Sequence, residues 1–158
     1  MKLITQVILL VAMSFTLVSC SGDKSGGADK VTTITITAND QMQYDKTEFK
    51  VKSGDKIRLV LKNIGTMPKT AMGHNVTILK AGESAEAFGA AIPETNEGTL
   101  ENDFLPPSMA DKVFVHTDMT GGGETTEITF TAPAPGTYEY LCTFPAHYMT
   151  MHGKMIVE

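Results

Sequence analysis

The sequence predicts an all-β fold built from eight short strands, with a short helical flap over residues 82–105. Three observations carry this. Apolar and polar residues alternate with period two in one short segment after another. Gly, Pro and Asp clusters punctuate those segments. Only Gly82 to Leu105 departs from the pattern, being Ala/Glu-rich and free of β-branched runs. Many short strands with Gly/Pro turns describe a sandwich or a barrel, and two sheets closed face to face account for the regular alternation.

Taken in order, Val31–Thr37 alternates cleanly and opens the series. Glu48–Lys52 alternates again, Ser53-Gly54-Asp55 turns the chain, and Lys56–Lys62 follows. Asn75–Leu79, Lys112–His116, Thr126–Thr131 and Thr137–Cys142 continue, separated by signals such as Gly121-Gly122-Gly123 and Ala132-Pro133-Ala134-Pro135-Gly136. Gly153–Glu158 is the last strand. A chain of 158 residues is long enough for one domain with a real core. The formal net charge is −5 and Arg58 is the single arginine, so the basic footprint of a nucleic-acid binder is missing. No internal period of tens of residues points to a repeat architecture.

Residues 1–19 fall outside this pattern. Lys2 precedes an apolar run, Ile4 to Val18, too short for a span of about 20 residues but right for a secretory leader. Leu17-Val18-Ser19-Cys20 resembles a bacterial lipoprotein box, which implies cleavage before Cys20 and lipid on its sulfur. Residues 20–30 then read as a Gly/Ser-rich tether with a reach of roughly 15–20 Å. Loss of Lys2 with the leader brings the net charge to about −6. The expected organisation is therefore leader 1–19, lipidated tether 20–30 and β-domain 31–158, exported and held at a bacterial membrane.

With Cys20 lipidated, Cys142 is the one remaining thiol of an exported chain. A lone thiol in an oxidising compartment is either buried and inert or occupied. Its surroundings favour occupation: Cys142, Phe144, His147, Met149, Met151 and His152 lie within a few residues on the loop before the last strand. Thiolate and thioether are soft donors and imidazole is borderline, a set that selects copper over calcium, magnesium or manganese. The loop offers one inner imidazole in His147, so a second comes from elsewhere. His74 stands just before a strand, and Gly73 ahead of it lets the backbone approach an ion, with its carbonyl as a weak axial group. His116 and His152 are read as histidines outside the site, and Met149, Met151 and Phe144 also fit a role as ordinary core.

At this point the sequence resembles the azurins, bacterial blue-copper proteins of the cupredoxin family. The likeness rests on Asn39-Asp40-Gln41-Met42-Gln43, Pro68-Lys69, Met72-Gly73-His74-Asn75, Val115-His116-Thr117, Gly122-Gly123-Glu124, and Cys142-Thr143-Phe144-Pro145 with His147 and Met151. It implies a Greek-key sandwich and one copper ion held by His74, Cys142 and His147. Met151 would be a long axial ligand, with the Gly73 carbonyl opposite. It further implies that Asn75 ties the two ligand-bearing loops together, and that His147, Met72 and Ala146 form an apolar electron port. Backbone amides near Asn75, Val76 and Phe144 are candidate donors to the sulfur. The azurin disulfide has no counterpart here, Ala146 stands at a loop glycine, and Met149 and His152 are additions.

The expected function is one-electron transport by a monomeric, membrane-tethered copper protein that is not an enzyme. Partners of the matching chemistry are cytochrome c, reductases or a peroxidase. A copper chaperone or store is the alternative, raised by the loop methionines. A closed set of two histidines, one cysteine and one methionine counts against it, because delivery needs labile ligands. A nitrite-reductase type of enzyme would need a second copper site, for which only His116 and His152 remain. A purely adhesive sandwich would leave the Cys142–Met151 spacing without a reason.

Overall fold

The computed structural model describes residues 31–158; the expected leader (1–19) and lipidated tether (20–30) lie outside the described residues. Among the described residues nine strands form two sheets. β1 (Val31–Asn39), β2 (Gln43–Tyr44), β4 (Lys56–Asn63) and β7 (Thr125–Thr131) make the first, in the order β2-β1-β4-β7. The second contains β3 (Glu48–Val51), β5 (Thr77–Leu79), β6 (Val113–His116), β8 (Gly136–Leu141) and β9 (His152–Val157), in the order β3-β9-β8-β5-β6. Both sheets are mixed. β1 runs parallel to β4 from Val31↔Lys56 to Ala38↔Asn63, and β3 parallel to β9, while the other pairs are antiparallel. The chain crosses between sheets at β2–β3 and β3–β4, which is why parallel neighbours arise without helical crossovers.

The period-two alternation has the expected consequence. Ile36 and Ala38 of β1 and Ile57, Leu59 and Leu61 of β4 meet Val76, Ile78, Tyr140 and Met155 between the sheets, all essentially inaccessible. Each fully buried Leu or Ile side chain contributes about 1.5–3 kcal/mol from removal of its surface from water. The tilted aromatic contacts Tyr44–Tyr140 and Phe49–Tyr140, at 5.9 and 5.6 Å, close the same core from the β3 side.

The flap contains one helix, α2 (Ala85–Thr95), capped by Ser84 Oγ accepting from the Ala87 amide at 3.3 Å and ended by Asn96 in the left-handed region. A 3₁₀ turn at Leu100–Asn102 follows, and a second at Pro107–Lys112 extends past the expected limit. The flap covers the outer face of the second sheet and buries Phe88, Ile92, Met109, Leu79 and Leu141 in a satellite core. All eight expected strands are present; the ninth, β2, is a two-residue pairing with the end of β1. Two residues carry no readable periodicity, so hydrophobic pattern cannot announce such a strand. The short helix α1 (Lys69–Met72) and a 3₁₀ turn at His147–Met149 were likewise not expected. Among the described residues no helix is long and apolar enough to cross a membrane.

Candidate metal centre

Two connections at one end of the sandwich build the site. The first leaves β8 at Leu141 and returns into β9 at His152. The His147 amide donates to the Phe144 carbonyl at 3.0 Å, and the Thr150 and Met151 amides donate to the His147 carbonyl at 3.0 and 2.8 Å. This tight curl brings Met151 back beside its start, where the Cys142 amide donates to the Met151 carbonyl at 3.0 Å. The second connection leads from α1 into β5. His74 and Thr120 exchange both backbone hydrogen bonds, at 2.9 and 2.8 Å, which fixes the backbone beneath the imidazole.

These loops converge on one point. The Cys142 sulfur lies 3.6 Å from His147 Nδ1, 3.9 Å from His74 Nδ1 and 3.8 Å from the Gly73 carbonyl. The sulfur and the two imidazoles all offer a donor atom within 4.8 Å of one another, and all three residues are buried. Among the described residues this is the one such group of His, Cys, Asp and Glu donors. Met151 is fully buried in the adjoining core.

Neighbours set the orientation of each donor. His74 Nε2 donates to the Asn39 carbonyl at 3.0 Å, which leaves the Nδ1 lone pair facing the cluster. Asn75 Nδ2 donates to Thr143 Oγ1 at 2.8 Å, and the Thr143 amide donates to Asn75 Oδ1 at 3.0 Å, so the two loops are joined directly. The Tyr44 hydroxyl donates to the Asn75 carbonyl. Thr143 Oγ1 in turn donates to the Asp103 carbonyl at 2.5 Å, tying the flap to the same junction. Gly73 is packed so closely that a Cβ there would lie 2.7 Å from the Lys69 carbonyl and 2.9 Å from the Met119 side chain.

The electrostatics follow from burial. Burial pushes the Cys142 thiol up to about 11, against the Asn75 and Phe144 backbone amides and the Tyr44 hydroxyl, which favour the thiolate. Burial, then the neighbouring charge of His74, pulls His147 down to about 4. His74 is lowered by burial against the opposing pull of the Asn39 carbonyl and Asp40. At neutral pH the pocket therefore holds one thiol and two neutral imidazoles, and a cation that binds there replaces the thiol proton. The donor set fits a soft or borderline ion held by one thiolate and two imidazoles, as copper is in electron-transfer centres.

The other expected residues fall around this cluster. The Phe144 ring lies against the His147 ring, centroids 4.6 Å apart, and Phe104 meets Phe144 edge-on at 5.2 Å. Ala146 is exposed beside His147, in the left-handed region at φ 66°, and Met72 is half-buried at the end of α1. His147 itself is only 2% exposed. It lies next to exposed Pro145 and Ala146 in the chain. His116 sits half-buried on the edge strand β6 and His152 is exposed, and neither joins the cluster. The contributions of the Asn39 carbonyl, Tyr44, Thr143 and Met119 were not visible in sequence. The first is a backbone group inside a recognised motif, Thr143 stands in the loop motif without a role of its own, and Tyr44 and Met119 carry no local signal.

A β-sandwich that closes one cysteine and two histidines into a buried cluster at one end defines a blue copper protein. Comparison with known proteins agrees. The model of the copper-binding plastocyanin/azurin family matches residues 30–158. Auracyanin-A of Chloroflexus aurantiacus is 35% identical over 158 residues, covering 95% of this chain and 93% of the relative. Outer membrane protein H.8 of Neisseria gonorrhoeae is 36% identical over 124 residues, 77% of this chain and 64% of that protein. The crystal structure of reduced auracyanin from Roseiflexus castenholzii superposes with a TM-score of 0.67 at 42% identity, covering 80% of this chain and 97% of that one. The chain belongs to the plastocyanin/azurin family of copper-binding proteins.

Proposed function

We propose that this protein is a one-electron carrier whose copper would be held by His74, Cys142 and His147, with the Met151 thioether and the Gly73 carbonyl as weaker contacts. The observation that carries this reading is the buried cluster itself, three donors within 4.8 Å on two loops that Asn75 and Thr143 lock together. Copper in such a set alternates between Cu(I) and Cu(II) and so accepts and returns a single electron. The chain's part is to keep the donors still and dry. The Asn39 carbonyl fixes the His74 ring, the Asn75–Thr143 bonds fix the spacing of the two loops, and Phe144 covers the His147 ring. The Asn75 and Phe144 amides favour negative charge on the Cys142 sulfur and so tune the potential. His147 carries the electron outward, its neighbour Ala146 being exposed and Met72, two residues before His74, half-buried. A cytochrome c, a reductase or a peroxidase with an apolar face would dock there.

The protein is exported and membrane-associated in this reading, tethered through lipidated Cys20. The likeness to Auracyanin-A and to a protein named as an outer membrane protein supports it. β1 also sets the distance between the attachment point and the copper end. Asn39 touches His74, while Val31 begins the strand about 26 Å away at a rise of about 3.3 Å per residue. A tether joined at Val31 therefore holds the copper end away from the membrane. A chaperone role is disfavoured because all three donors are buried.

Spectroelectrochemistry of the copper-loaded protein tests the carrier function. We expect a reversible one-electron titration, with copper retained through repeated cycles in the presence of a competing Cu(I) chelator. Loss of copper to the chelator on reduction would favour the chaperone. Incorporation of labelled fatty acid, abolished in Cys20→Ala, tests the anchor.

A further inference from the structure

We propose that Met149, His152 and Glu86 form a second, surface site for a soft monovalent ion of the Cu(I) class. The three side chains line one open groove of about 340 Å³, together with Ala90 and Tyr148. Three elements that pack on one another bring them there. Glu86 and Ala90 are one turn apart on α2, Met149 ends the 3₁₀ turn of the copper loop, and His152 begins β9. β9 alternates outward at His152 and inward at Gly153, so His152 lies on the sheet face that α2 covers. The Tyr148 ring, which lines the groove, rests against Gly89 of α2 so closely that a Cβ there would collide with it, which packs helix and loop together.

The chemistry of the lining selects the ligand. Met149 is 62% exposed, a large apolar side chain left in water at the lip of the groove. Its thioether is a soft donor, the His152 imidazole is borderline, and together they prefer Cu(I) or Ag(I) to hard cations. The Glu86 carboxylate supplies a negative charge opposite the ion. No residue of this set belongs to the buried cluster. The two sites are nevertheless neighbours, because His152 follows Met151 and Met149 lies two residues after His147.

The test uses protein labelled at the methionine methyl groups, its buried site filled with Cu(I), titrated without oxygen with Ag(I) as a redox-inert probe. We expect the Met149 methyl and the His152 ring to shift together and saturate at one equivalent. Met42 and Met67, exposed elsewhere at 36% and 39%, serve as internal controls and stay unshifted. His152→Gln is expected to weaken binding at least tenfold, since even changes outside the ligand set commonly cost about that much in metal affinity. No shift at Met149, an equal shift at Met42 or Met67, or unchanged affinity in His152→Gln would each overturn the proposal. Copper bound at the buried centre is counted before Ag(I) is added, so the fate of that centre is read separately from the Met149 shift.

Discussion

Asn75 and Thr143 are hydrogen-bonded to each other twice, in opposite senses. The Asn75 amide nitrogen donates to the Thr143 hydroxyl at 2.8 Å, and the Thr143 backbone amide donates to the Asn75 side-chain oxygen at 3.0 Å. One residue follows a histidine of the site and the other follows its cysteine, so this pair fixes how far apart the two loops sit. Both are buried, and an unpaired partner there costs about 1–3 kcal/mol on top of the lost bond. Asn75→Leu is expected to destabilise the metal-free protein by about 2–4 kcal/mol in urea unfolding. An effect below about 0.5 kcal/mol would show that the loops are held by other contacts.

Gly73 is fixed by crowding rather than by backbone angle. An added Cβ would meet the Lys69 carbonyl at 2.7 Å and Met119 at 2.9 Å, and the carbonyl cannot yield without moving α1. Gly73→Ala is expected to cost about 1–3 kcal/mol, the usual range for overpacking, and to weaken copper binding by displacing His74. Calorimetry of the metal-free and copper-loaded variant checks both effects; an unchanged unfolding temperature would contradict the packing.

Ala146 presents the opposite case. It has a positive φ of 66° and is exposed, so a side chain brings strain there without packing. Ala146→Gly is expected to raise stability by about 0.5–1 kcal/mol, and Ala146→Val to lower it by at least about 1 kcal/mol. A pair of denaturation curves decides this, and destabilisation by glycine would run against it.

The buried donors also give the metal-free protein a definite pH response. His147 is pulled down to about 4 and His74 is lowered, so on acidification the unfolded chain takes up protons first. Their contribution is complete above about 6.5, the unfolded histidine value, and declines as pH falls from there toward 4. Cys142 is raised to about 11, so its contribution is complete below the unfolded thiol value of about 8.5 and declines as pH rises toward 11. The unfolding temperature of the metal-free protein should therefore peak between about pH 6.5 and 8.5. A flat profile from pH 4.5 to 6.5 would mean that the imidazoles are not buried in the neutral form.

What the sequence disclosed, and what it did not, divides along range of interaction. β1 and β4 could be read because every second side chain faces the opposite sheet, and Ile57, Leu59 and Leu61 obey that rule without exception. The cluster of Cys142 and His147 could be read because softness is a property of residue type and their spacing is local. β2 could not be read, since two residues have no period and the strand exists only by pairing with Ala38 and Asn39. The turn at His147–Met149 has no propensity signal either, and forms because the loop must return Met151 to Cys142. The supports from Asn39, Tyr44 and Asp103 lie 35, 31 and 40 residues from their partners and in part use backbone atoms, which side-chain pattern does not encode.

The most direct test of the account is the visible absorption spectrum of residues 30–158 after reduction of the thiol and addition of one equivalent of Cu(II), compared with Cys142→Ser. An intense blue thiolate-to-copper band that bleaches on one-electron reduction and is missing in the variant is expected. A colourless wild-type protein, or a blue band that survives in Cys142→Ser, would contradict it.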